Sequence, residues 1–170
     1  MTDRDLRIVD FVSKCPCSSA TLHKIFFAGK SMRMANKRLH KLFDYGYIKR
    51  TRQSTWENYT YYVNKKPAQL MHSDCIARSY LWLLEHGYLI HDYEVQKQYG
   101  KVRPDLTADI ERNGKRGLIA VEVELSNHDI QKKIKQYEEQ EVFKSLILVS
   151  NYCGSSELIK ITNVNIKELP

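Results

Sequence analysis

Two glutamates lie inside an otherwise apolar stretch of the sequence, GLIAVEVELS, residues 117–126. Glu122 and Glu124 alternate with valine and leucine, which is the period-two pattern of a β-strand, so both carboxylates fall on the same face. Another carboxylate, Asp105, lies at the start of the preceding alternating segment. Grouped carboxylate oxygens are the hard ligands that Mg²⁺ and Mn²⁺ prefer. Asp105, Glu122 and Glu124 are therefore candidate metal ligands, and metal-assisted hydrolysis is the chemistry they would support.

The two acidic segments are separated by Asn113-Gly114, which is typical of a two-residue type I′ hairpin turn. Such a turn pairs Arg112 with Lys115, so that the numbers of opposed residues sum to 227. Asp105 then falls opposite Glu122, and Arg103 falls opposite Glu124. A slip by one residue would mix the apolar face of the hairpin with its polar face, and the separation of the two faces therefore favours this register.

Like charges that face each other across an antiparallel pair destabilise it, so the opposed carboxylates require compensation. Three alternatives are open on the local pattern. A divalent cation could bind the carboxylates, Arg103 could act as their counter-ion, or one carboxyl could keep its proton because its pKa is raised.

Charge is distributed unevenly along the chain. The net charge of the 170 residues is +7, but residues 1–66 hold 14 Lys and Arg and 5 Asp and Glu, a net charge of +9. Residues 67–170 hold 13 Lys and Arg and 15 Asp and Glu, a net charge of −2. A small domain this basic predicts a polyanionic partner, because each phosphate that is neutralised releases counterions. The alternative is a basic surface that serves solubility.

Three helices and a hairpin are predicted in the basic part. Helical patterns cover residues 2–14, 18–27 and 31–45, and the alternating segments YIKRTRQ and YTYYVN follow. This order, with a short second helix and a longer basic third helix, resembles the winged helix-turn-helix family, which implies binding of double-stranded DNA. The third helix would contact bases and phosphates, and the hairpin would contact the backbone or minor groove. The predicted DNA-binding residues are Arg33, Asn36, Lys37 and His40 on the helix and Lys49, Arg50 and Arg52 on the hairpin.

Two points about this part of the chain stay open. Winged helices also serve as protein-docking or dimerisation modules, which is the alternative to DNA binding. Trp56 lies near the tip of the predicted hairpin, where its ring could contact DNA or could pack against the domain.

A domain boundary is predicted in NKKPAQLMH, residues 64–72, which contains a proline and has little periodicity. Residues 1–64 would form the first domain, residues 65–72 a linker, and residues 73–170 the second domain. The second domain is predicted to hold a helix over 73–86, a strand over 88–96, the hairpin, a helix over 127–141 and a further strand towards the end. The fold class is thus a two-domain α+β or α/β protein.

The second domain resembles the PD-(D/E)xK nuclease fold, which is also the restriction-endonuclease fold. Arg103-Pro104-Asp105 and Glu122-Val123-Glu124 carry the resemblance, together with the order helix, three strands, helix, strand. The resemblance implies that Asp105, Glu122 and Glu124 hold Mg²⁺ or Mn²⁺ and that the domain is a metal-dependent DNA endonuclease.

One feature departs from the nuclease motif, because Glu124 occupies the place of its lysine. Some restriction endonucleases of this fold have glutamate there and are active, whereas other members of the fold have lost the lysine and are non-catalytic. The family also tolerates a lysine on the following helix, and Lys133 lies on the apolar side of that helix, near Ile134 and Tyr137. Lys133 is the candidate for this catalytic place, and a surface lysine with a buried stem is the alternative.

Taken as a whole, a winged helix followed by VRPD, VEVELS and a Lys-rich helix resembles the replication-relaxation family. The resemblance implies DNA binding in the replication, transfer or regulation of a plasmid, phage or integrative element, with replication or transfer proteins as further partners. The alternative function is a dimeric winged-helix transcriptional regulator whose second domain serves dimerisation or partner binding.

The compartment is predicted from the cysteines and from hydropathy. Cys15 and Cys17 are one residue short of the CxxC spacing, and all four cysteines are predicted to be reduced thiols. The sequence contains neither the apolar core of a signal peptide nor a run as long as a membrane span. A soluble, cytoplasmic protein without a membrane partner is therefore expected.

Overall fold

The computed structural model describes residues 1–125, 130–151 and 159–164. Within these ranges the chain forms five helices and two sheets, which is a mixed α+β architecture. The chain divides into two compact units, Met1–Leu81 and Trp82–Pro170, and the boundary between them falls inside helix α4 (Leu70–Glu85). Helix α4 begins earlier than predicted, and its first turn lies in the segment predicted as a linker. Among the described residues, the helices lack the combination of length and apolar character that spanning a membrane requires.

The first unit begins with three helices whose starts agree with the sequence prediction. The helices are α1 (Asp3–Lys14), α2 (Ser19–Phe26) and α3 (Met32–Asp44). Each helix begins after a hydroxyl side chain that accepts a hydrogen bond from the backbone N–H three residues later, namely Thr2, Ser18 and Ser31. After α3, Gly46 adopts a φ of +75°, a conformation that glycine takes without steric cost.

A small antiparallel sheet completes the first unit. Strands β2 (Lys49–Thr51) and β3 (Thr60–Tyr62) form the predicted hairpin, and β1 (Cys17–Ser18) pairs with the other side of β3. Strand β1 was not predicted, because two residues carry no periodicity and their partner is far away in the sequence. The buried side chains of the first unit include apolar residues from all three helices, namely Ile8, Phe11, Val12, Leu22, Ala35, Leu39 and Leu42.

The second unit is built on a five-stranded sheet. Its strands are β4 (Leu89–Val95), β5 (Leu106–Arg112), β6 (Lys115–Glu124), β7 (Ser145–Asn151) and β8 (Ile159–Val164), in this spatial order. Strand β7 runs parallel to β6, and helix α5 (Ile130–Glu138) belongs to the crossover between them. The predicted beginning of this helix, near residue 127, lies outside the described residues.

The predicted register of the β5–β6 hairpin is confirmed. Arg112 pairs with Lys115, and the ladder continues in the same register to Leu106 and Val121. Asn113 and Gly114 both have positive φ, as a type I′ turn requires. The pattern of apolar residues was therefore sufficient to determine which side chains share a face.

Both faces of β6 are buried along its second half. Ile119, Val121 and Val123 lie on one face, and Ala120 lies on the other. The face of Ala120 packs into a core with Tyr137 of α5 and with Val102, Phe143, Leu146 and Leu148. The next two residues on that same face of β6 are the two glutamates, so a helix covers the surface on which they lie.

Candidate functional site

Glu122 and Glu124 occupy the carboxyl end of β6, next to the parallel strand β7. Their exposed fractions are 8% and 9%, which is low for charged side chains. Carboxylates are rarely buried to this degree unless they are paired, hydrogen-bonded or bound to a cation. The partners of these two side chains therefore determine what the site does.

Asp105 reaches the same place from the chain that leads into β5. The strand ladder ends at Leu106, and beyond it Oδ2 of Asp105 accepts a hydrogen bond from the backbone N–H of Val123 (2.9 Å). This bond fixes the Asp105 carboxyl beside Glu122, with which it interacts. The predicted neighbours thus lie close together, although through a side-chain contact with the backbone rather than a strand pair.

Lys133 on α5 supplies the positive charge at this site. Its Nζ lies 2.9 Å from Oε2 of Glu124 and 3.6 Å from Oε2 of Glu122. Burial alone would lower the pKa of Lys133, but its hydrogen bond to Glu124 and the surrounding carboxylates outweigh burial and raise it. Lys133 therefore places a cation between the two glutamates, while 33% of its side chain stays exposed.

One of the three alternatives, that Arg103 is the counter-ion of the glutamates, is wrong. The Arg103 side chain is exposed, and its Nε donates to the backbone carbonyl oxygen of Gln96 (2.7 Å). The physical reason is that the β5–β6 ladder stops at Leu106, so Arg103 is not held opposite Glu124. Lys133, and not Arg103, is the cation beside the two glutamates.

Tyr137 completes the group and was not predicted to belong to the site. Its ring is fully buried, and its hydroxyl donates to Oε1 of Glu122. Tyr137 lies four residues after Lys133, one turn further along the same side of α5. The sequence signal that could have identified it was this spacing, together with a phenol on a stripe that packs against a strand with buried glutamates.

Burial raises the pKa of Glu122 from its ordinary value of 4.5 to about 7. The Tyr137 hydroxyl and Lys133 act in the opposite direction, whereas the nearby Asp105 carboxyl raises the pKa further. A carboxyl that keeps its proton near neutrality was one of the three predicted ways to relieve the repulsion. The structure combines a raised pKa of Glu122 with a positive charge from Lys133.

A pH dependence of stability follows from Glu122. Between pH 4.5 and about 7, the Glu122 carboxyl keeps a proton in the folded chain that it has released in the unfolded chain. The resulting contribution to the free energy of unfolding is therefore complete below pH 4.5 and is lost as the pH rises through 7. By pH 8 the loss should approach roughly 3 kcal/mol. Urea unfolding of the wild-type and Glu122→Gln chains in EDTA, from pH 4.5 to 8, should show the variant gaining relative stability. Equal pH profiles would contradict this, and Glu85→Gln, an exposed carboxyl, is the control.

The donor chemistry of the site fits a divalent cation. Three carboxylates and one ammonium, when all are charged, leave a net charge of −2, which one Mg²⁺ or Mn²⁺ would neutralise. Among the residues that the structure describes, no group of three or more His, Cys, Asp or Glu side chains is already arranged to hold a metal ion. Asp105, Glu122 and Glu124 are the side chains that would hold such a cation.

The predicted DNA-binding side chains of α3 form an exposed row. Arg33, Asn36, Lys37 and His40 are all exposed, whereas Ala35 and Leu39 face the core. The row borders a cleft of about 400 Å³ between α3 and the β2–β3 hairpin, and Asn36, Lys37, His40, Arg50, Asn58 and Tyr59 are among its lining residues. Helix and hairpin thus present their polar side chains to one common surface.

Arg50 links the helix side of this cleft to the hairpin side. Its guanidinium carbon lies 4.2 Å from the ring centroids of both Phe43 and Tyr59, and its Nη1 donates to Nδ1 of His40 (3.4 Å). Arg52 also lies over Tyr59, at 4.6 Å from the ring centroid. Cation–π contacts of this kind hold a guanidinium in place without using its hydrogen-bond donors.

The remaining hairpin residues lie further out. Lys49 is exposed, and its Nζ reaches the carbonyl oxygen of Asn64 at 3.5 Å. Trp56, in the loop between β2 and β3, has an exposed fraction of 95%, so the alternative that it packs against the domain is wrong. An indole this exposed on a basic surface is available to a partner.

The chain was compared with protein families, with curated proteins and with solved structures. No protein-family model, curated protein or solved structure matches the chain. The winged helix-turn-helix and PD-(D/E)xK folds, and membership of the replication-relaxation family, therefore stay predictions, and the function has to be argued from the geometry of the two surfaces.

Proposed function

We propose that this chain binds double-stranded DNA through its first unit and that its second unit is a nuclease-like domain that hydrolyses a phosphodiester bond with a divalent cation. The observation that carries the proposal is the convergence of Asp105, Glu122, Glu124 and Lys133 at the end of β6. Three carboxylates can hold a divalent cation, and a lysine beside them can orient water or stabilise negative charge on phosphate, so this group of side chains can support metal-assisted phosphodiester hydrolysis.

The support for DNA binding is the charge and geometry of the first unit. The exposed face of α3 carries two cations and two side chains with both donor and acceptor groups, which suits phosphates and base edges in a major groove. The hairpin adds three further cations beside it. With a net charge of +9 over residues 1–66, long-range attraction would also bring the polyanion to this face.

In the proposed reaction, Asp105, Glu122 and Glu124 would hold Mg²⁺ or Mn²⁺. When bound, such an ion lowers the pKa of a coordinated water and neutralises charge on the phosphate. The Lys133 ammonium lies 2.9 Å from Oε2 of Glu124. It would supply a positive charge that orients water or stabilises negative charge on phosphate.

The proposal predicts that Asp105→Asn and Glu122→Gln each abolish metal-dependent nicking of supercoiled plasmid. Each substitution removes a ligand charge while it retains the shape of the side chain, so duplex affinity should stay within about twofold of wild type. Asp109→Asn is the matched control, because Asp109 is an aspartate of β5 that pairs with Arg116 away from the site. Nicking that survives Asp105→Asn would exclude this site as the catalytic centre.

A dimeric DNA-binding regulator is the second candidate, and one observation favours it. Lys133, Tyr137 and the N–H of Val123 already bind oxygens of Glu124, Glu122 and Asp105, so the carboxylates have partners without a metal. A dimer in sedimentation analysis, together with a palindromic footprint and an uncut plasmid, would favour this function.

The biological setting remains a proposal that rests on resemblance. A winged helix followed by a nuclease-like domain is similar to the replication-relaxation family, so we place the activity in replication, transfer or regulation of a plasmid, phage or integrative element. Replication or transfer proteins would then be further partners of the chain.

A further inference from the structure

Two side chains of α5, one helical turn apart, hold the two oxygens of a single carboxylate. The Tyr137 hydroxyl donates to Oε1 of Glu122, and Nζ of Lys133 lies 3.6 Å from Oε2. Glu122 is itself 8% exposed, and the Asp105 carboxyl also interacts with it. The orientation of this carboxylate is therefore set by the helix that covers it.

We propose that Tyr137 is a positioning residue for a divalent cation: by holding Oε1 of Glu122, it directs Oε2 towards the place where Lys133, Glu124 and the cation meet. This inference rests on the proposed function, because it concerns the same carboxylates. Tyr137 would contact neither the cation nor DNA, but it would orient Glu122, which binds the cation.

A glutamate side chain has three rotatable bonds, so its carboxylate must be restrained before it can bind an ion in one orientation. A hydroxyl fixed in a packed core is a suitable restraint. The Tyr137 ring contacts Phe143, with centroids 5.7 Å apart, within the core that also contains Ala120 and Leu146. Groups that orient metal ligands in this way commonly change metal affinity by about 10- to 100-fold when they are removed.

A role in packing alone would not require the hydroxyl. Phenylalanine would fill the same space against Phe143, whereas the buried phenol requires a hydrogen-bond partner, which is Glu122. Tyr99 provides the comparison within the same core, because its ring also packs against Phe143, at 5.1 Å between centroids. The Tyr99 hydroxyl, however, lies near Glu94 and Thr107 and not near the site.

The test is calorimetric titration of the full chain with Mn²⁺ at pH 8. Tyr137→Phe is expected to weaken Mn²⁺ binding about 10- to 100-fold, and Tyr99→Phe is expected to leave it unchanged. In a double-mutant cycle, Tyr137→Phe should have no further effect on Mn²⁺ binding in the Glu122→Gln background, because the hydroxyl acts through that carboxylate. Melting temperatures of all variants measure the structural effect separately.

A measurement on the wild-type chain covers the case in which Tyr137→Phe does not fold. With the hydroxyl-bearing carbon of tyrosine labelled with ¹³C, the Tyr137 resonance should shift during a Mg²⁺ titration, whereas that of Tyr99 should not.

The outcomes separate the two proposals. Equal Mn²⁺ affinity of wild type and Tyr137→Phe, or a Tyr137 resonance that does not respond to Mg²⁺, would overturn the positioning role and leave the proposed function standing. A wild-type chain that binds no Mn²⁺ would overturn both. A weaker affinity in Tyr137→Phe with an additive effect in the double variant would also overturn the role, since the loss would then not act through Glu122.

Discussion

Replacing Arg38 by methionine is expected to lower the free energy of unfolding by about 3 kcal/mol, although Arg38 lies on the basic helix α3. The Arg38 guanidinium binds the Asp5 carboxylate through two nitrogens, with Nε donating to Oδ1 at 2.7 Å. Asp5 is completely buried and also accepts from Thr2, with which it forms the capping box of α1. Methionine would leave this carboxylate buried without its cation, and such losses are among the largest that single substitutions cause.

Chemical denaturation at pH 7 measures this effect, with Lys41→Met as the matched control. Lys41 is an exposed cation of the same helix, and its replacement should change the free energy of unfolding by less than about 0.5 kcal/mol. The Arg38 guanidinium also holds the pKa of Asp5 well below its ordinary 3.8, so the stability from this pair is present above pH 4 and is lost as the pH falls below it. An equally stable Arg38→Met chain would show that the ion pair does not stabilise α1 against α3.

Removing Arg33 and Lys37 together is expected to weaken binding to duplex DNA about 100-fold, or about 2.7 kcal/mol, since each contact of this kind contributes about 1–3 kcal/mol. The plot of log affinity against log salt concentration should also become less steep, by about 0.9 for each lost phosphate contact. Fluorescence anisotropy with a labelled duplex at several salt concentrations measures both quantities. Both side chains are exposed, so stability should be unchanged.

The control for this prediction removes two cations from another part of the chain. Lys115 lies at the turn between β5 and β6. Lys144 directly precedes β7, and its side chain lies near Gly117 of β6. Both are exposed, and Lys115→Ala/Lys144→Ala changes the net charge by the same amount. If both double variants lose the same affinity and the same salt dependence, binding depends on net charge alone and the α3 surface has no special role.

Local patterns in the sequence were sufficient where side chains repeat with a regular period or where a turn has a fixed geometry. The Asn113-Gly114 turn and the alternation around it predicted the register of β5 and β6, which is confirmed as far as Leu106. The helical patterns that start at residues 2, 18 and 31 predicted where the first three helices begin, and the structure has the caps of these helices at Thr2, Ser18 and Ser31. In each case the interaction that determines the structure lies within a few residues of the chain.

Contacts between distant segments could not be predicted in the same way. The extension of the register beyond Leu106 assigned Arg103 to Glu124, but the strand ends there and the carboxylate of Asp105 binds the backbone instead. The hydroxyl that binds Glu122 comes from Tyr137, which belongs to the helix in the crossover between β6 and β7. Arg38 appears in the sequence as one more cation of a basic helix, and its buried partner, Asp5, lies 33 residues earlier.

The most direct test of the central claim is nicking of supercoiled plasmid by the full wild-type chain in Mg²⁺ or Mn²⁺, with an EDTA-treated sample as reference. The proposed function predicts that nicked circles appear with either metal and not with EDTA, at protein concentrations that saturate duplex binding. Plasmid that stays supercoiled with both metals, while the protein binds the duplex at those concentrations, would contradict the nuclease function and leave the DNA-binding regulator as the better description.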